Sequence, residues 1–273
     1  MRYRDFLPEI NRLSIVAAVI MLAFALTQLI SFPAQDFSFL IFGILVDLKL
    51  DFNTIITIMT AILAAAGMEW LLQSHPHRKT LKYKWFAIRH WIVPVLTALV
   101  IGVALKNFSG SSLWWVTFVL GSLLLMAVFI AEYNVLDFQS PYSPLAIIGL
   151  TALSFVLFLL LAVSVNTTNL RLYVRIPLLG LGALMVISRT FYLRLGKWLP
   201  VWSLIASLIL VETVVGLHYL PISPIQYGLA LVGLGYALTS IVSGIKESRR
   251  SWAMWAEPVG MVVVLFLVGV FWR

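Results

Sequence analysis

Long apolar runs alternate with short polar segments along the whole chain. The runs cover 14–32, 53–72, 90–105, 113–131, 145–165, 172–192, 201–219, 225–245 and 253–272. A helix needs about 20 mostly apolar residues to cross a bilayer. The pattern therefore predicts an all-α polytopic transmembrane bundle of about nine helices. The run at 90–105 is the shortest and carries Pro94; residues 85–88 extend it. Pro144, Pro177, Pro200 and Pro224 fall at or near a first turn, where a missing N–H costs little. Pro258 lies inside the ninth run and is expected to kink it. Gly233, Ala237, Ser240 and Gly244 share one face of the eighth run, and Ala61, Ala64, Ala65 and Gly67 give the second a similar smooth patch. Small residues at such spacing let helices approach closely.

One stretch departs from this pattern. Residues 37–46 are apolar but too few to span as a helix. Val46, Leu48, Leu50 and Phe52 then alternate with Asp47, Lys49 and Asp51. Period two is a strand signal. Gly43 would turn an earlier strand, 38–42, back onto this one. A bare strand edge cannot sit in hydrocarbon, because its N–H and C=O groups would be unpaired. A short β-hairpin is therefore expected at the outer interface, within 33–52. No linker divides the chain, so 1–273 reads as one transmembrane domain, with a basic cytoplasmic loop at 74–89.

Composition supports this class. The chain is 62% hydrophobic and 11% charged, against about 45–50% and about 25% in soluble domains. So few charges could not cover a water-exposed surface. The formal charge of +8 lies in short loops, which points to anionic lipid head groups and threading, not to nucleic acid. There is no cysteine, hence no disulfide and no thiol ligand. The first run is too long for a signal-peptide core of about 7–15 residues and reads as a retained helix.

Lys and Arg set the orientation. With the N-terminus in the cytoplasm, fourteen of them fall on inside segments and five outside. The C-terminus is then outside. The expected location is a bacterial cytoplasmic membrane.

Acids inside apolar spans are costly and often functional. Glu69 lies about one turn from the inner end of the second run, Glu212 near the middle of the seventh, and Glu257 about one turn into the ninth. Glu132 sits at the inner end of the fourth, where water is expected to reach it. The threading brings Arg89, His90 and Arg189 to the same inner depth. The candidate intramembrane polar site is thus Glu69, Glu212, Glu257, Arg89 and Arg189. It reads either as a pocket for a polar head group or as ion pairs that fix helix positions. Glu212 has no basic residue at its depth, and His218 lies about 9 Å further along the axis.

No metal or cofactor motif appears. His75 and His77 flank a proline beside Arg78 and Lys79, a poor setting for a cation, and read as part of a solvated basic loop. No phosphate loop and no nucleophile elbow is present. Catalytic, cofactor-binding and metal-binding residues are accordingly expected to be absent. The function expected first is a non-enzymatic accessory or assembly component, with a protein partner or a second copy of the chain. The alternative is a transporter or lipid-handling protein that uses the intramembrane acids. A membrane enzyme acting on a lipid-linked substrate comes third.

Nine helices and an inner N-terminus resemble the intramembrane prenyltransferases. Those enzymes need two Asp-rich cytoplasmic motifs, whereas the inner loops here hold only isolated acids, Glu132, Asp137 and Glu247. That likeness is one of helix count alone. Asn53-Thr54, Gly67-Met68-Glu69-Trp70-Leu71-Leu72 and His75-Pro76 resemble a family of bacterial multi-pass membrane proteins of unknown function. This resemblance implies an integral membrane protein and carries no activity with it.

Overall fold

The computed structural model describes residues 8–30, 35–41, 44–75, 88–136, 142–168, 171–248 and 251–271. In chain order these form α1 (Ile10–Leu29), β1 (Gln35–Ile41), β2 (Ile44–Leu50), α2 (Phe52–Gln73), α3 (Ile88–Asn107), α4 (Leu113–Val135), α5 (Ser143–Thr167), α6 (Leu172–Leu195), α7 (Pro200–His218), α8 (Pro224–Lys246) and α9 (Ser251–Phe271). Helices α1 to α8 are each long and apolar enough to cross a membrane.

Burial is inverted relative to a soluble protein. Leu22, Ile62, Leu120, Leu145 and Leu208 are exposed, whereas Thr60, His90, Thr97, Glu132 and Arg189 are buried. Hydrocarbon around the helices makes that arrangement favourable, since lipid tails are as apolar as leucine. Several buried hydroxyls bond to their own helix. Thr97 donates to the Val93 carbonyl at 2.8 Å, Ser154 to Leu150 at 2.7 Å and Thr190 to Val186 at 2.8 Å. Such back-bonds satisfy a donor where no water can.

β1 and β2 pair antiparallel, with Phe39 opposite Val46 and Ile41 opposite Ile44. Both strands lie a few residues earlier than the alternation suggests. Gly43 falls outside the described residues. The alternation stops before Phe52 because Asp51 caps α2. Its carboxylate accepts from the Thr54 backbone N–H at 2.9 Å and from the Thr54 hydroxyl. Lys106 Nζ, from the far end of α3, lies 2.7 Å from the same carboxylate. Partial burial alone would raise the pKa of Asp51. The Lys106 and Thr54 hydrogen bonds outweigh it and hold the carboxyl below its ordinary value. This cap fixes where the hairpin hands over to the first helix after it.

The sequence reads as one transmembrane domain, whereas contacts gather into two compact units, 1–146 and 147–273. In the first, α2 packs on α1 and α3, and α4 packs on α1 and α3, so the four helices close on one another. Phe24, Met68, Leu71, Leu125 and Phe129 form the centre of its core. Glycines set two of the contacts. A Cβ on Gly67 would lie 2.3 Å from Val16 Cγ1, and one on Gly102 would lie 2.5 Å from Thr57 Oγ1. In the second unit α8 packs on α6, α7 and α9, and α6 on α7. Helix α5 approaches through Leu161, 2.7 Å from where a Gly182 Cβ would stand, and through Leu159, 2.8 Å from that of Gly228. α8 begins on a full capping box: Ser223 Oγ accepts from the Gln226 N–H at 3.3 Å, and Gln226 Oε1 accepts from the Ser223 N–H at 3.0 Å. Pro200 and Pro224 open α7 and α8 as expected.

Candidate functional site

Polar side chains gather in each unit separately. In the first unit they lie where α2 ends, α3 begins and α4 ends. Glu69, half-buried on α2, accepts a hydrogen bond from Trp91 Nε1 on α3 at 3.3 Å. One residue before Trp91, His90 Nδ1 lies 2.9 Å from Glu132 Oε2, and both side chains are 0% exposed. Glu132 therefore does not sit in water as expected. Helix α4 continues to Val135, one turn beyond the predicted end at 131, and this carries Glu132 into the bundle. His75 is likewise buried, edge-on to Tyr133 at 4.5 Å between ring centroids. His77 and Lys79 of the basic loop lie outside the described residues. Arg12 closes this end from α1: its Nη1 donates to the Trp70 carbonyl at 3.2 Å, and its guanidinium stands 5.4 Å from the Trp70 ring centroid.

Three helices converge on a different cluster in the second unit. Arg194 Nη2 on α6 donates to Tyr236 Oη on α8 at 2.9 Å and to Glu257 Oε1 on α9 at 2.9 Å. Tyr236 Oη in turn donates to the same carboxylate oxygen. The guanidinium also lies over the Tyr236 ring, 5.1 Å from its centroid. The Arg194 side chain is 19% exposed and that of Glu257 35%, so the trio is partly shielded and not sealed.

Arg194 and Tyr236 also line a cavity of about 470 Å³ between α5, α8 and α9. The rest of its wall is apolar apart from Thr151; Phe155, Leu159, Val232 and Leu265 are representative. Thr151 Oγ1 is buried and has no hydrogen-bond partner among the described residues. From Ile147 to Leu159 the α5 wall rises about 18 Å along the helix axis. The volume lies in the range of small-molecule pockets, about 300–1,000 Å³, which are mostly apolar with a few placed polar groups. Chemically, this arrangement accepts an apolar chain and offers a cation and two hydroxyls.

The predicted site residues thus divide between the units. Glu69 and Arg89 belong to the first; Glu212, Glu257 and Arg189 belong to the second. Glu257 meets a base, but that base is Arg194. Arg189 is fully buried, with its guanidinium 5.2 Å from the Tyr192 ring centroid. Glu212 is exposed on α7, on the apolar face that carries Leu204, Leu208 and Ile209. His218 turns elsewhere: Arg175 Nη1 donates to its Nδ1 at 3.0 Å and to Asn166 Oδ1 at 3.1 Å. Among the described residues no group of three or more His, Asp or Glu is placed to hold a metal ion. Sequence reading missed Arg194 and Tyr236. Arg194 counted only as an inner-face charge, and Tyr236 lay inside an apolar run. Arg194 left a signal as a base in the last turn of an apolar run, whereas Tyr236, midway along α8, left none.

A family model described as Protein of unknown function (DUF5656) matches residues 32–272, most of the chain, and the chain belongs to that family. No curated protein and no solved structure matches it.

Proposed function

We propose that this DUF5656 chain is a non-enzymatic lipid-handling component of a bacterial cytoplasmic membrane, and that it holds one apolar chain in the cavity of its second unit. The observation that carries this reading is the cavity itself, apolar along α5, α8 and α9 and polar where Arg194 and Tyr236 meet it. A lipid chain matches such a mostly apolar wall. The intramembrane acids enter this reading unequally. Glu257 borders the cavity through Arg194, while Glu69 serves the packing of α2 on α3.

Filling the cavity tests the proposal. Ala152 lines it and is exposed. Ala152→Trp is expected to fold and to lose most of the lipid that the purified protein retains. Equal retention by a folded Ala152→Trp protein would argue that lipid sits elsewhere.

In this reading the N-terminus is cytoplasmic and the C-terminus outside, which places the Arg194 end of the cavity in the cytoplasmic leaflet and the hairpin of β1 and β2 at the outer interface. The support is the bias of Lys and Arg toward the loops assigned inside. Reporter fusions after Lys197 and after Tyr219 should report opposite faces, cytoplasmic and external in that order. The reverse order would invert the threading.

A further inference from the structure

Taking the cavity of the second unit as a lipid site, we infer that its ligand is a single-chain amphiphile with an anionic head, carboxylate or phosphate monoester, and that Glu257 occupies the place of that head when the ligand is absent. The inference rests on the function proposed above and adds the head-group chemistry and the exchange.

Arg194 carries the argument. It lines the cavity and spends one terminal nitrogen, Nη2, on both Tyr236 Oη and Glu257 Oε1 at 2.9 Å. A guanidinium presents five N–H donors in a planar fork that fits a carboxylate or phosphate with two parallel bonds. The contact to Glu257 engages a single nitrogen and a single carboxylate oxygen, so the fork is not used to its full extent. Glu257 is also the most exposed member of the trio's ion pair, at 35% against 19% for Arg194. An incoming anion at the cavity end of Arg194 would compete with a carboxylate that is partly in reach of water. Glu257 would lose less by moving out than a sealed acid would.

The neighbouring groups suit the same head. Tyr236 Oη lies at the point where Arg194 and Glu257 meet, and it donates to the carboxylate there. The same hydroxyl can donate to a bound anion. Thr151 Oγ1, one of the cavity's polar atoms, lacks a hydrogen-bond partner among the described residues. A neutral head would leave Arg194 on Glu257 and gain only hydroxyl contacts. An anionic head takes Arg194 and Tyr236 from Glu257, which also gives up a hydrogen bond from Ser240, and in return engages the guanidinium through a bidentate pair and accepts from the Tyr236 hydroxyl. The wall above is too apolar to hold a second charge, which limits the ligand to one polar end.

The test measures binding of three probes with the same tetradecyl chain length to the full protein in mild detergent: myristate, tetradecyl phosphate and tetradecanol. Wild type should bind the two anions more tightly than the alcohol. Arg194→Gln should weaken the anions about tenfold, roughly one charge-assisted hydrogen bond, and leave tetradecanol unchanged. Glu257→Gln removes the competing charge and keeps the side-chain shape. It should tighten the anions severalfold, again without effect on the alcohol. Should Arg194→Gln fail to fold, Glu257→Gln alone decides. Preference for myristate over the phosphate, or the reverse, identifies the head. Equal binding of all three probes by wild type, or unchanged anion affinity in Glu257→Gln, overturns the inference and leaves the cavity reading standing. Failure of wild type to bind any of the three overturns the cavity reading, and the inference falls with it.

Discussion

Glu132→Ala should destabilise the first unit by about 3 kcal/mol or more, the cost of leaving a buried polar partner without its hydrogen bond together with that of the emptied volume. Its carboxylate lies 2.9 Å from His90 Nδ1, and both side chains are sealed from solvent. The alanine variant empties the space beside the imidazole and removes the link that joins the start of α3 to the end of α4. Glu132→Gln keeps a hydrogen-bonding group at the same point and should cost less, about 1–3 kcal/mol. Thermal unfolding of the full chain in mild detergent reads both. A Glu132→Ala protein as stable as wild type would mean that the pair is solvated.

The second large effect belongs to Gly67. Lipid supplies no hydrophobic drive between helices, so close packing carries much of their association. A Cβ at position 67 would stand 2.3 Å from Val16 Cγ1. Valine is stiff at χ1 and cannot swing aside cheaply. Gly67→Val should therefore push α1 off α2 and cost about 1–3 kcal/mol or more, as overpacked cores do. Adding Val16→Ala opens the space again and should recover part of the loss. The sum of the single changes would then exceed the double change, the mark of direct contact. Strict additivity in the same unfolding assay would mean that the two residues do not touch.

The helices were legible because crossing a bilayer imposes a length, and length survives in sequence as an uninterrupted apolar run. The strand pair left its trace in the alternation from Val46 to Leu50. Helix ends were less legible. Glu132 looked like a terminal residue because α4 turns polar there, yet the helix runs a further turn to Val135, whose side chain is buried. Partnerships across helices were not legible at all. Arg194 finds Glu257 63 positions away and Tyr236 42 positions away. Which face each helix turns to its neighbour decides those pairs. Spans that are apolar on every side give no stripe from which to read that rotation. Depth was inferable, and it placed Glu257 and an arginine at one level. It could not say that the arginine was Arg194 instead of Arg189.

Glu212 shows the same limit from the other side. Its depth near the middle of α7 singled it out, yet depth is silent on direction. Its exposure beside Leu208 and Ile209 places it on the outward face of that helix.

A lipid chain held between α5, α8 and α9, as proposed, should travel with the purified protein. The most direct measurement is the amount of co-purified lipid per chain, by native mass spectrometry, in wild type, Ala152→Trp and Leu208→Trp. Leu208 is exposed on α7 and takes no part in the cavity wall. Wild type and Leu208→Trp should retain lipid alike, and Ala152→Trp should lose most of it while unfolding at the wild-type temperature. Retention by Ala152→Trp equal to that of the other two would contradict that placement.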